Sequence, residues 1–312
     1  MTRTSLQPLL LIAVSCCVLG RAQDSVKQKI PPVVPIQTFD PAHHESASYA
    51  DEAIQAALVA RQGGNSVKIT ELSTKEERFV QLPEEMAQVD DIHKGVGNRL
   101  VVRGMVNGSG SEIVVIDRDS AKVIDKFVCY LPSISRDGRY IAFVKFYPSH
   151  FAEGTDDHYM LYDVAKEPVE NRPPEIASND WKTVGKCIYP IGVGNKDNDN
   201  VGYSRGSEHS SRSEFFWNPD QEQVFFADQL ATAPQITLVL VDVAGNGGIF
   251  VKTITQNAEQ LCPVNTAGAA ACPILVRRVE FRSGAEATIA VTFEIVSTRQ
   301  RRTVEYKSLQ FQ

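Results

Sequence analysis

The feature that most constrains the fold is the dipeptide Asp137-Gly138, which separates two apolar runs in residues 132–143. This segment reads as a strand, a tight turn and a second strand. Asp-Gly in such a position is a strong hairpin signal, because a two-residue turn needs a positive φ that glycine adopts without a Cβ clash. We therefore predict a hairpin here, with Gly138 at positive φ.

A variant of the same segment recurs at residues 216–226, again with apolar runs on both sides of a turn. This second copy keeps Trp217, Pro219 and Asp220 but has Gln221 where the glycine would stand. Because glutamine has a Cβ, we predict a different turn type there. Hairpins that recur along a chain indicate a β-propeller, in which one sheet covers the next.

Both segments resemble the TolB-type (WD-repeat-like) propeller repeat of exported bacterial proteins. The usual form of that repeat is proline, any residue, tryptophan, serine, proline, aspartate and glycine, followed by an Ile-Ala-Phe strand. The first copy departs from it at Ile134 and Arg136. The resemblance implies an all-β propeller over roughly residues 50–312, and no further stretch matches TolB closely enough to carry over partner-binding residues.

Paired apolar segments continue this pattern along the chain and predict about five four-stranded blades, incomplete or irregular in places. The first strands of the pairs are predicted at 54–60, 99–106, 140–146, 223–227 and 287–293. Their partners are predicted at 67–72, 112–117, 158–163, 236–243 and 303–311. Three of the pairs lead through a polar turn into a further strand, at 78–82, 122–127 and 249–254.

Two stretches do not follow the repeat. Residues 50–61 are rich in alanine, and propensity alone favours a helix, whereas the repeat spacing favours a strand. We predict the strand. Residues 167–212 are polar and rich in Pro, Gly, Asn and Ser, and form either a large loop or a degraded blade.

The N-terminus predicts export. One basic residue, Arg3, precedes the apolar run at 9–19, and small residues place cleavage after Ala22, so residues 1–22 form a signal peptide. A lipoprotein signal ending at Cys16 is the alternative, although the usual leucine three residues earlier is missing. Residues 23–45 read as an extended, proline-containing arm, and 46–312 as the propeller. The expected location is the periplasm or the exterior, with no membrane span.

The acidic balance does not favour a nucleic-acid partner, because the formal net charge is −6 over 312 residues and no basic stripe is present. The cysteines that remain after cleavage are even in number, which predicts disulfides in an exported chain. Cys262 and Cys272 close a loop of small residues and are the predicted pair. Cys129 and Cys187 either form a second pair or stay as buried free thiols.

No catalytic or cofactor-binding residue is predicted. Gly202 to Gly206 matches the G-x-S-x-G nucleophile motif around Ser204, but polar residues surround it instead of the buried strand and helix that this motif needs. Asp197 and Asp199 offer oxygen ligands at alternating positions and are the candidate Ca²⁺ ligands, although the rest of an EF-hand loop is missing.

These observations predict an exported, non-enzymatic binding or scaffolding module. Its expected ligand is a protein or a carbohydrate of the cell envelope. The alternative is a propeller enzyme of the lyase or glycosidase type that uses the central channel. A convergent cluster of carboxylates or histidines would distinguish the two, and residues from different blades can meet there without leaving a linear motif.

Overall fold

The computed structural model describes residues 47–61, 63–86, 88–106, 110–145, 158–166, 184–190, 209–230, 235–245, 247–261, 273–283 and 287–311. These residues form an all-β protein of several antiparallel sheets, which confirms the predicted fold class at that level. Short 3-10 turns follow two of the strands, at Ala258–Gln260 and Ser308–Gln310.

The strands of the described ranges form four sheets. The first sheet runs in the order β1 (Ser48–Ala50), β2 (Ile54–Arg61), β3 (Gly64–Glu71), β4 (Glu77–Gln81). The second has seven strands, and its spatial order is the chain order: β5 (Gln88–Lys94), β6 (Arg99–Val106), β7 (Gly110–Asp117), β8 (Lys122–Ile134), β9 (Tyr140–Lys145), β10 (Tyr159–Asp163), β11 (Lys186–Tyr189).

The third sheet runs β12 (His209–Ser211), β14 (Gln223–Leu230), β15 (Gln235–Val243), β16 (Ile249–Asn257), and the short strand β13 (Phe216–Trp217) also pairs with β14. The fourth has three strands in the described region: β17 (Ile274–Arg282), β18 (Thr288–Ile295) and β19 (Arg301–Lys307). All these pairings are antiparallel, and apart from β12 with β14 each joins strands that follow one another in the chain.

The sheets stack in chain order; the second and third are buried on both faces, whereas the first and fourth each contribute to one core. Ile141 and Phe143 of β9 point into one core, whereas Tyr140, Ala142 and Val144 point into the next. The four cores lie between the first and second sheets, within the second sheet, between the second and third, and between the third and fourth. Strands with two buried faces need apolar residues at nearly every position, which explains the long apolar runs in the sequence.

The predicted four-stranded blades are wrong for the middle of the chain, where two of them merge into the seven-stranded sheet. Strand β8 is continuous, and its Cys129 pairs with both Ser111 of β7 and Lys145 of β9. A bulge follows, at which Leu131 has a φ of 50°. The bulge contains Pro132, which has no backbone N–H to donate to a neighbouring strand, so the chain bends there without a turn and the sheet folds over its own core.

The prediction of a strand within 50–61 is confirmed over Ile54–Arg61. Strand β2 pairs with β3 along its whole length, and Ile54 and Ala56 are fully buried in the first core. Sheet pairing and burial therefore outweigh the helix propensity of the alanines. The described parts of the polar stretch 167–212 contain strands as well, β11 in the second sheet and the start of the third sheet at β12.

The Asp-Gly hairpin is present, with a longer turn than predicted. Gly138 has a φ of 72°, as expected. However, β8 ends at Ile134 and β9 begins at Tyr140, so the turn is not the two-residue type. The Gly138 N–H donates to the Ser135 carbonyl over 2.9 Å, and the Asp137 carboxylate accepts from the Ser135 hydroxyl over 2.6 Å. Residues 135–138 thus form a four-residue turn whose last residue, Gly138, has the left-handed conformation.

The two related hairpin segments lie side by side where the second and third sheets meet. The Trp217 indole N–H donates to the Ser133 carbonyl over 3.1 Å, and the Ser133 hydroxyl donates to the Phe215 carbonyl over 3.2 Å. Arg136 reaches the Pro219 carbonyl over 3.3 Å. The repeated sequence thus produces repeated structure on neighbouring sheets.

Candidate functional site

Three sheets contribute charged side chains to one region, which we call the junction cluster: Arg103 of β6, Glu214 between β12 and β13, and Arg277 of β17. The positive charges of Arg277 and Arg103 both act on the Glu214 carboxyl group. These residues are far apart in sequence and meet only because the sheets stack. The cluster is therefore the convergence of charges that the sequence alone cannot reveal.

Two β-bulges help to place the arginines. On β17, Val276 pairs with Phe293 and Arg278 pairs with Thr292, so Arg277 is the extra residue of a bulge. On β5, a second bulge lies directly opposite Arg103. Bulges redirect side chains and are frequent beside functional sites.

Glu214 is the titratable centre of the cluster. It is half-buried, and burial raises its pKa above the ordinary value for glutamate, while the guanidinium groups of Arg277 and Arg103 partly oppose that rise. Removal from water disfavours the charged carboxylate, and nearby cations favour it. Glu214 therefore keeps its proton at a higher pH than an exposed glutamate does.

Asp91 adds a second carboxylate, directly opposite Arg103 in the register of β5 and β6. Its Oδ2 lies 2.6 Å from Nε2 of His93 and 3.9 Å from Nη2 of Arg103. Burial would raise the pKa of Asp91, but the hydrogen bond with His93 and the charges of His93 and Arg103 outweigh it and hold that pKa below its usual range. Arg103 thus lies near two carboxyl groups whose pKa values are shifted in opposite directions.

Glu294 is a buried carboxylate that binds Arg277 of the junction cluster. It is 2 % exposed, and its carboxylate lies 3.2 Å from Arg277, 3.0 Å from Arg299 and 2.9 Å from Arg301. Burial acts to raise the pKa of Glu294, but the hydrogen bonds from the arginines outweigh it and lower that pKa to about 2. Glu294 stays ionised and fixes one edge of the Arg277 guanidinium.

The junction cluster has the chemistry of a binding site for anions. Arginine stays charged and holds carboxylates through two parallel N–H donors. The side chains of Arg103 and Arg277 are 29 % and 23 % exposed, so each is partly open to a ligand. Glu214 and Asp91 are the groups that could transfer a proton, because their pKa values are pushed apart.

A second polar group is buried between the second and third sheets, around Asp228. This residue is fully buried, and it accepts a hydrogen bond from the Tyr159 hydroxyl over 2.7 Å and lies 2.5 Å from Nδ1 of His209. The Tyr159 ring stacks on Phe226 with centroids 4.4 Å apart. The network joins β10 to β12 and β14, and we assign it to holding these two sheets in register.

Of the predicted site residues, Cys129 and Cys187 lie in the described part of the chain, and both are free thiols. Cys129 on β8 is buried in the core inside the second sheet, and Cys187 on β11 packs against the same core. Burial raises the pKa of both thiols, that of Cys187 to about 11.

The other predicted residues, Asp197, Asp199, Cys262 and Cys272, lie outside the described residues, as do Ser204, the signal peptide and the proline-containing arm. Within the described ranges, no group of three or more His, Cys, Asp or Glu side chains is placed to hold a metal ion. The same ranges contain no helix with the length and apolar character to span a membrane.

Sequence reasoning missed Arg103, Glu214 and Arg277. The one local signal was the position of Glu214, a charged residue directly before the apolar start of the second hairpin segment. Nothing in the sequence links it to the two arginines, because that link depends on how the sheets stack.

No protein-family model matches the chain, and the search of curated proteins finds no match. Among solved structures, the chain is similar to a prolyl endopeptidase, with 10% identity, a TM-score of 0.41, and coverage of 85% of this chain and 34% of that one. It is also similar to the tricorn protease, with 13% identity, a TM-score of 0.38, and coverage of 81% and 26%.

A third similar structure is a 6-phosphogluconolactonase described as putative, from Bacteroides uniformis, with 12% identity, a TM-score of 0.32, and coverage of 84% of this chain and 70% of that one. The chain thus spans about a third of the prolyl endopeptidase and about a quarter of the tricorn protease.

Proposed function

We propose that this protein is an exported, propeller-like binding or scaffolding module that recognises a carboxylate-bearing ligand of the cell envelope at the junction cluster. The observation that carries the proposal is the convergence of Arg103 and Arg277, from different sheets, on the half-buried Glu214. Two arginines on separate rigid sheets are held in position before the ligand arrives, which reduces the entropic cost of binding.

Carboxylates occur both in acidic polysaccharides and in acidic peptides, and arginine recognises the group in either. The TolB-type resemblance and the predicted signal peptide support an envelope location. The stacked sheets support a scaffold role, because they provide a rigid frame on which loops and sheet edges present the ligand-binding groups.

The alternative function is that of a lyase or glycosidase acting on an acidic polysaccharide. A specific observation favours it: the pKa of Glu214 is raised and that of Asp91 is lowered, and both lie near Arg103. Glycoside hydrolysis uses one carboxylic acid that keeps its proton and one carboxylate that has lost it, and the two pKa shifts have those signs.

One experiment tests both functions. Calorimetric titrations would compare oligogalacturonate and a hexaglutamate peptide with their neutral counterparts, galacto-oligosaccharide and hexaglutamine. We expect an acidic ligand to bind and its neutral counterpart not to bind. The double variant Arg103→Gln/Arg277→Gln should weaken binding about tenfold or more, because each arginine supplies charge-assisted hydrogen bonds.

The matched control is Arg278→Gln, which removes an exposed arginine next to Arg277 on the same strand. It should leave the affinity unchanged. If the double variant melts early, Arg103→Lys replaces it, since lysine keeps the charge but loses the planar pair of donors. Equal affinity for acidic and neutral ligands would refute the binding proposal. Shortening of oligogalacturonate that is abolished in Glu214→Gln would establish the enzyme instead.

A further inference from the structure

A small cleft lies between the third and fourth sheets, away from the junction cluster. Its volume is about 160 Å³. One wall is the turn between β13 and β14, and the other is formed by the end of β17 and the start of β18. Phe281 lines it and lies four residues beyond Arg277 on β17, a displacement of about 13 Å along the strand. The cleft is therefore separate from the junction cluster.

The wall formed by the β13–β14 turn belongs to the second hairpin segment. It contains the position at which that segment differs from the usual repeat. Asp220 and Gln221 are both exposed and both line the cleft, so the glutamine that replaces the usual glycine contributes a side-chain amide there. The turn is held in place because the Asn218 carboxamide oxygen accepts from the Asp220 N–H over 3.0 Å and its nitrogen donates to Gln223 over 2.8 Å.

The opposite wall is apolar at its base and polar at its rim. Phe281 and Ile289 are cross-strand partners on β17 and β18, and Phe281 is only half-buried. Thr288 and Ser308 add hydroxyl groups. The wall carries little net charge, because Arg278 and Arg282 pair with Glu280 and Glu305 and balance their charges.

We propose that this cleft binds a single neutral sugar ring. A pyranose has an apolar face of C–H groups, which suits the exposed part of the Phe281 ring beside the buried Ile289, and a rim of neighbouring hydroxyls. Those hydroxyls donate to the Asp220 carboxylate and both donate to and accept from the Gln221 amide. The volume is below the roughly 300–1,000 Å³ of pockets for drug-sized ligands, so the cleft accommodates one ring and not an oligosaccharide chain.

The test uses methyl glycosides of glucose, mannose, galactose and N-acetylglucosamine, followed by saturation-transfer NMR and by titration of the backbone amide signals. For one sugar ring we expect at least one glycoside to bind with a Kd on the order of a millimolar. Asp220→Asn and Gln221→Ala should each weaken that binding about fivefold or more. Both residues are exposed, so these variants are expected to fold.

The matched control is Glu52→Gln, a carboxylate-to-amide change at an exposed position of the first sheet's loop, which should bind the glycoside like the unmodified protein. Arg103→Gln should also retain binding, which separates this cleft from the junction cluster. The proposal is overturned if no glycoside binds, if the Asp220 and Gln221 variants bind unchanged, or if a neutral tripeptide such as triglycine displaces the glycoside from the cleft and binds more tightly.

Discussion

The alanine variant of Gly138 is the sharpest test of the fold, because two separate costs can be worked out there. The residue has a φ of 72°, a region that costs a residue with a Cβ roughly 1–2 kcal/mol. In addition, a Cβ at this position would lie 1.9 Å from the Lys94 carbonyl oxygen and 2.9 Å from Cα of Gly95. Both neighbours are backbone atoms, so they cannot move aside as a side chain does.

The matched control is Gly97→Ala. Gly97 has a similar φ of 64°, but a Cβ there would meet nothing within 4 Å. We expect Gly97→Ala to cost about 1 kcal/mol, the strain alone. Gly138→Ala should cost about 3 kcal/mol, since forcing an extra methyl group into a packed site typically adds roughly 1–3 kcal/mol.

Thermal melting measures the difference. For a chain of this size, 1 kcal/mol corresponds to roughly 2–4 °C in Tm, so we expect a fall of about 2–4 °C for Gly97→Ala and of about 6–12 °C for Gly138→Ala. Equal shifts for the two variants would show that the Asp-Gly turn does not pack on the turn between β5 and β6. The path of the chain through the seven-stranded sheet would then need revision.

Three further outcomes are expected. Asp228→Ala should lower the free energy of unfolding in urea by about 2–4 kcal/mol, because it removes the acceptor of a buried hydrogen-bond network. Tyr159→Phe removes only one donor and should lower that free energy by about 1 kcal/mol. Equal losses for the two variants would count against the network. The folded-state pKa of Glu294 is about 2, below its ordinary 4.5, so its contribution to stability is present above about pH 4.5 and is lost as the pH falls towards 2. Glu294→Gln should flatten the dependence of stability on pH in that window, and an unchanged profile would contradict the assignment. Peptide mapping without reductant should show Cys262 linked to Cys272, whereas recovery of both as free thiols from an oxidising compartment would rule the disulfide out.

The sequence predicts the local parts of this fold well. Turn chemistry at Gly138 and runs of apolar residues depend on neighbours in the chain, so the hairpins are visible in the sequence. The strand at β2 is predicted only through the repeat spacing, since its alanines by themselves favour a helix.

The merging of two predicted blades through β8 is harder to foresee. The bend lies at Leu131 and Pro132. Proline inside a strand indicates a bulge or an edge, but it does not indicate that one strand pairs with both β7 and β9. The junction cluster is invisible for a related reason. Arg103, Glu214 and Arg277 belong to different sheets, and their approach follows from stacking, which no spacing rule describes.

Burial on both faces also shapes what happens before the protein is folded. Strand β15, Gln235–Val243, carries an uncharged run of six residues at 236–241 with high β-propensity, and in the stack both of its faces and both of its edges are covered. In an unfolded chain the same run is a template for pairing with another copy. Refolding should therefore compete with self-association, and the refolding yield should fall as protein concentration rises. If the chain crosses a membrane unfolded, a chaperone would need to cover this run until β14 and β16 pair with β15.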